Sequence, residues 1–512
     1  MKLVSRFTDY FSSLILWVLS CFDRVIFKGH LPISWVSQFE RFVDYELKIR
    51  RDDFLKRVGP EWSNRLVEHA KNYALKHKRL YQYFPGHVDK DAWAKEQLRL
   101  HPIVQGLVGI LCVREVCSTF KLAYGDGRPH FVPAQVPQRV LYYYFVDKDL
   151  GFIHVRLQTW ASFTCQVYAN GHDYVARQLK KKGIAYEQVD NAFVVLSNPA
   201  AAQRIANRFS KLPWPKILER YAQLVNPLLK SELKGMTHYW VIDQAEYATD
   251  IRFVDKGILR VLFVRLLEFA LLTFSPKRIF CYLGRKWHER YDGEVQTHYK
   301  SVREPGASIK HYMGKNWLKM YDKLSLMLRV ETVINQPGAF KIYRECRHRD
   351  GSKSKGWFAM CKGVGNMHHY QSHALACNQR YLDALSAVAN PAPAYDDLKT
   401  LTERQRQKGR SYAGFNPARE DEMRLFSAVL AGDHIAQGFR NQDIRAAVYA
   451  ESPRAPERQK HSAAIGRLLK RLQVRKMVEK VPRSRRWRVT AEGRRTLGDM
   501  LHTYRRYQTQ AA

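Results

Sequence analysis

Side-chain alternation over Lys310–Asn335, KHYMGKNWLKMYDKLSLMLRVETVIN, restricts the fold of this chain more than any other feature. In a strand, residues two apart share a face, whereas a helix repeats about every 3.6 residues. Lys319, Tyr321 and Lys323 fall on one side of a first strand, and Leu318, Met320 and Asp322 on the other. In a second strand Leu326, Leu328, Val330, Thr332 and Ile334 make an almost wholly apolar face, with Arg329 and Glu331 opposite. The connection at Leu324-Ser325 is short, which predicts an antiparallel hairpin. Its polar faces would then line one site.

Chemistry can be built on that set. A tyrosine hydroxyl ionises near pH 10 and is a poor nucleophile at neutral pH. Neighbouring cations stabilise the phenolate and also bind a phosphodiester. A carboxylate such as Glu331 can hold a divalent metal, Mg or Mn, that polarises the phosphate. The bland alternative is an amphipathic hairpin with a solvated charged face, and both readings stand at this point.

Tyr321-Asp322-Lys323, followed by Arg329-Val330-Glu331, resembles a segment of rolling-circle replication initiators of plasmids and filamentous phages. The resemblance covers about 25 of the 512 residues. It implies an enzyme that nicks one DNA strand, with Tyr321 as nucleophile and Lys323, Arg329 and Glu331 as its catalytic neighbours. The chain departs from the two-histidine metal motif of many such enzymes: Phe152-Ile153-His154-Val155-Arg156 has a single histidine.

A chain of this length predicts several domains. Lys and Arg number 85 against 48 Asp and Glu, a net charge of +37, which favours a polyanionic partner. DNA is the first candidate. RNA stays open, because an aromatic run such as Val140–Val146 can stack bases. No membrane partner is expected, since the cations are spread along the chain and Arg260, Arg265 and Glu268 interrupt the apolar stretch Ile258–Leu272. The eight cysteines lack framework spacing, which favours a reducing, cytoplasmic setting. The apolar run Leu14–Phe22 is too short to span a bilayer and reads as a buried helix leading into a strand, with a targeting segment as the alternative.

The expected class is α+β. Residues 1–130 read as a helical N-terminal region. Residues 131–235 read as a first α+β unit: strands at Val140–Val146, Phe152–Trp160 and Cys165–Ala169, a helix His172–Lys182 ending at Gly183, and a strand Tyr186–Leu196. Residues 236–340 form a second such unit, a distant repeat of the first in this reading, with a mainly antiparallel sheet. Its strand Tyr239–Phe253 carries Asp243, Glu246 and Asp250. These carboxylates could join Glu331 at a metal, or serve as partners of the many cations. The His154/Arg156/Gln158 face reads as a functional rim or as the solvated side of a sheet.

Residues 341–410 form a helical region with histidines and cysteines, followed by a linker at Asn390–Tyr395. His369, His373 and Cys377 are four apart, yet no CxxC or paired-ligand spacing supports zinc. Residues 411–512 order as three helices, a hairpin and a final helix after Thr490, which resembles the winged helix-turn-helix domains of MarR-like regulators. The resemblance implies DNA contacts by Arg467, Lys470 and Arg471 of the third helix and by Arg483, Arg485 and Arg486 of the wing. Lys310 and Lys319 of the central hairpin are expected as further phosphate contacts. Two functions follow as expectations: a replication initiator or nickase of a plasmid, phage or mobile element, and, as the alternative, a non-catalytic transcriptional regulator or other nucleic-acid-binding protein. The target sequence and the oligomeric state are not encoded in these patterns.

Overall fold

The computed structural model describes residues 5–504, apart from 126–127, 288–290, 292, 301–306, 348–349, 389–394, 408, 417–418, 432–433, 435–437, 450–453, 483, 491, 495, 499 and 502–503. The fold is mixed α+β. Its strands are β1 (Ile15–His30), β2 (Tyr81–Phe84), β3 (Gly106–Gly125), β4 (Arg128–Asp147), β5 (Gly151–Gln158), β6 (Cys165–Ala169), β7 (Tyr186–Val189), β8 (Ala192–Leu196), β9 (Tyr239–Phe253), β10 (Val295–Lys300), β11 (Ser308–Met313), β12 (Asn316–Lys323), β13 (Met327–Ile334), β14 (Lys341–Arg347), β15 (Lys353–Ala359), β16 (Gln405–Gln407), β17 (Arg410–Tyr412), β18 (Val478–Lys480) and β19 (Trp487–Val489). Eleven of them form one sheet in the order β10-β11-β12-β13-β9-β1-β6-β5-β4-β3-β2. β2 joins β3 in parallel, while β3–β4, β4–β5, β5–β6, β6–β1, β10–β11 and β11–β12 pair antiparallel.

The helical reading of residues 1–130 is corrected here. Leu14–Phe22 lies mostly in β1, and the apolar run after Ile103 forms the 20-residue β3. β1 is buried on both faces from Leu19 to Asp23, so its apolar residues run on without alternating. Length and an apolar run alone do not separate such a strand from a buried helix.

The chain divides into two compact units. One comprises Leu19–Ala248 and Val333–Ala374. On one face of its sheet Phe22 meets Phe209, Phe27 packs on Trp214 at 4.5 Å, and Phe145 meets Tyr221. These contacts bury the amphipathic helices Pro199–Phe209 and Trp214–Val225. Register places Tyr142, Arg156 and Gln166 in one cross-strand row, and Tyr144, His154 and Tyr168 in the next. This face is not solvated: Arg156 is held on Glu115 at 2.9 Å, and His154 stacks on Tyr168 at 4.9 Å. The predicted strand Tyr186–Leu196 is a separate hairpin, β7–β8.

The other unit comprises Lys2–Val18, Thr249–Thr332 and Leu375–Ala512. Its element order after β9 is helix Lys256–Thr273, a short helix, then β10 to β13, which differs from the order after β4 in the first unit. Further on, helices Glu420–Val429, Asn441–Val448 and Ala455–Val474 and the β18–β19 hairpin share one core of Phe426, Ile444, Ile465, Leu469, Val478 and Val489. The linker expected at Asn390–Tyr395 falls on residues outside those described except for Tyr395, and the helix expected after Thr490 does so in part.

Two buried histidines give each unit a pH signature. His311 lies 3.0 Å from the Tyr381 hydroxyl and 2.9 Å from the Thr297 hydroxyl, and burial lowers its pKa to about 3. Burial likewise lowers His154 to about 4. In the unfolded chain both titrate near 6.5, so below that pH the unfolded state binds more protons than the native one. Stability present above pH 6.5 is therefore lost progressively as pH falls toward 4. Thermal melts from pH 7.5 to 4.5 should show Tm dropping on the acid side, with a shallower slope in His311→Gln than in wild type.

Candidate metal and nucleic-acid site

The β12–β13 hairpin forms as its alternation predicts, and its turn explains its tightness. Leu324 and Ser325 have φ of 60° and 55°, and the Leu326 amide donates to the Lys323 carbonyl at 3.2 Å. That is the left-handed two-residue turn whose twist matches a β-hairpin. The polar face of this hairpin, however, is not solvated. Every residue of β13 is buried, with Arg329 0% and Glu331 1% exposed, and on β12 Tyr321 is 4% exposed.

Buried charge demands partners. Arg329 finds Asp250 of β9: Nε donates to Oδ1 at 2.5 Å and Nη2 to Oδ2 at 2.7 Å, a two-pronged fork. Glu331 sits two residues along the same face. Its Oε2 accepts from the Tyr321 hydroxyl at 3.1 Å and from Lys319 Nζ at 3.5 Å. Lys319 also lies over the Tyr321 ring, 4.1 Å from its centroid. Lys323 is buried next to the turn, on the same strand face as Tyr321. Lys310 pairs across the ladder with Lys319 and lies over the Trp317 ring at 5.7 Å.

The first unit carries a carboxylate that the sequence reading overlooked. Asp23 of β1 is 6% exposed. Asn191 Nδ2 donates to both of its oxygens at 2.6 and 2.8 Å, and His172 Nδ1 lies 3.1 Å away. Close packing fixes the histidine: a Cβ on Gly171 would lie 2.3 Å from the Phe22 carbonyl oxygen, so only glycine lets this helix start against β1. Glu246 of β9 accepts from Gln244 at 2.6 Å and lies 3.9 Å from Arg24 Nε.

The nearest carboxylate oxygens of Asp23 and Glu246, both in the first unit, lie within 4.8 Å of each other. Oxygen ligands suit Mg or Mn better than zinc. Of the four expected metal ligands, Glu331 lies with Tyr321 and Lys319, Glu246 with Gln244 and Arg24, Asp250 with Arg329, and Asp243 3.9 Å from Lys362. Arg329 is the structural partner of Asp250. The His/Cys group does not assemble: His373 packs on Phe340, and Cys377 is buried with Arg380 Nη2 at 3.2 Å from its sulfur.

In the C-terminal module Arg467 and Lys470 are exposed on their helix, and so is Arg485 on the hairpin. Arg471 instead lies 4.0 Å from the Phe415 ring centroid and 3.1 Å from Glu422, and Arg486 donates to the Gly438 carbonyl at 3.0 Å. Arg483 lies outside the described residues. Among the described residues no helix is long and apolar enough to cross a membrane. No family model, curated protein or solved structure matches this chain.

Proposed function

We propose that this protein is a DNA-strand-cleaving enzyme of the replication-initiator or mobile-element type, with its reaction centre at Glu331. The observation that carries the reading is the setting of Glu331, a buried carboxylate in contact with a tyrosine hydroxyl and a lysine. Glu331 would hold a divalent cation, which when bound would neutralise charge on the phosphodiester and on the leaving oxygen.

The chain's own residues supply the rest. Glu331 takes the phenolic proton from Tyr321, and Lys319 stabilises the phenolate through its ring face and its charge. The Tyr321 oxygen forms a bond to phosphorus as one phosphorus–oxygen bond of the backbone breaks, leaving the chain end on the protein. Lys310 and Lys319 hold the flanking phosphates. The C-terminal module acts as a winged helix, placing Arg467 and Lys470 toward the major groove and Arg485 toward the backbone. RNA as substrate, or a regulator without catalysis, are the competing functions.

A second reading follows from burial: with Tyr321 only 4% exposed, its hydroxyl positions Glu331, and water attacks the phosphorus in its place. Tyr321→Phe separates the two. Supercoiled DNA incubated with Mg or Mn should be nicked by wild type with a covalent protein–DNA adduct, and Tyr321→Phe should lose both. Nicking that survives the substitution, without an adduct, assigns the attack to water. No cleavage by wild type, with salt-dependent binding retained, overturns the enzymatic reading.

A further inference from the structure

We infer that the β14–β15 ribbon is a docking surface for the unpaired bases of single-stranded nucleic acid. The ribbon is a two-stranded sheet of its own, with Lys341 opposite Ala359 and Tyr343 opposite Trp357. Alternation gives it one face toward the protein, where Ile342 is buried, and one toward solvent. The solvent face carries Tyr343, 60% exposed, and Trp357, 67% exposed, with ring centroids 5.9 Å apart in an edge-on arrangement.

Leaving two large aromatic rings in water is unfavourable, and a paired exposed patch marks a surface with a partner. Its surroundings identify the partner's chemistry. Lys341, Lys353 and Lys355 lie on the same face with one acid, Glu345, which is paired to Lys353 at 3.2 Å. Lys341 and Lys355 form no ion pair among the described residues. Rings flanked by free cations suit a strand that offers flat bases and a phosphate backbone together. An apolar protein partner would not match the lysines, and duplex DNA would hide the bases.

The inference rests on the nucleic-acid part of the function proposed above and not on its chemistry. It is tested in EDTA, which removes divalent cations and with them cleavage, by fluorescence anisotropy of a labelled oligothymidylate. Tyr343→Ala with Trp357→Ala should weaken binding on the order of 10-fold or more, while Trp357→Phe retains most of the affinity. Lys341→Gln with Lys355→Gln should flatten the salt dependence by about 0.7 in log–log slope for each phosphate contact removed. Both aromatic positions are on the surface, so unchanged melting curves should accompany the loss. Unchanged affinity in the double alanine variant overturns the ribbon's role, as does an equal loss for duplex and single strand. Cleavage by wild type with unchanged ribbon-variant affinity sinks this inference alone. Ribbon-dependent binding without any cleavage sinks the enzymatic reading alone.

Discussion

Glu331→Gln should eliminate metal-dependent DNA cleavage, by roughly 100- to 10,000-fold, while leaving the protein folded and as stable as wild type or more so. The amide has the shape of the carboxylate and can still accept from the Tyr321 hydroxyl, so the 3.1 Å contact survives. What disappears is the charge. Glu331 is 1% exposed. Neutralising it relieves the fold of a buried carboxylate and removes a metal ligand and a proton acceptor together.

A second readout is independent of catalysis. A cation that binds only the folded state raises Tm with its concentration. Mg or Mn should therefore raise the Tm of wild type and have little effect on Glu331→Gln. A variant that cleaves as well as wild type would move the reaction centre elsewhere. A metal-induced Tm shift unchanged by the substitution would remove Glu331 from the cation site.

Particular residues explain what could be read from the sequence. The β12–β13 hairpin was legible because Lys319, Tyr321, Arg329 and Glu331 alternate with apolar neighbours. That alternation gives which residues share a face, but not whether the face is wet. Here the face is buried, which turns a charged surface into an obligatory network. Asp250 and Glu246 divide between two roles that alternation along β9 does not distinguish. Asp250 meets the Arg329 guanidinium and Glu246 meets Gln244 and Arg24, a distinction that depends on register between strands far apart in sequence.

Asp23 was missed because it directly follows the apolar run Leu14–Phe22, which reads as a helix leading into a strand. The available signal was local: a carboxylate and an arginine, Asp23-Arg24, inside an otherwise apolar stretch rich in β-branched and aromatic residues from Trp17 to Phe27. An acid at a core position is costly unless something in the fold compensates it. The C-terminal helices were legible for the opposite reason. Each has one apolar stripe, such as Ile465, Leu469 and Leu472, and a charged remainder.

The largest expected effect on stability belongs to Arg329→Met, at about 3–5 kcal/mol of destabilisation. Arg329 and Asp250 are 0% and 1% exposed on their side chains, and each is the other's fork partner. Removing the guanidinium strands the Asp250 carboxylate in an interior that cannot solvate it, and removal of one partner costs far more than the pair is worth. Asp250→Asn should be milder, since the amide still accepts one of the two bonds while the guanidinium loses its counter-charge. The double variant Arg329→Met/Asp250→Leu tests the cause. If stranded charge is responsible, the double variant recovers much of the loss, because apolar residues of similar volume replace an ion pair at little cost. If instead the fork itself holds the strands, the double variant is as unstable as Arg329→Met alone. Urea unfolding of the three variants distinguishes these outcomes. The consequence for function is direct: Glu331 is two residues from Arg329 on the same strand face, so a loosened β13 displaces the carboxylate from Tyr321. Arg329→Met should therefore lose cleavage at temperatures where it remains folded, and the double variant should regain it in proportion to its recovered stability.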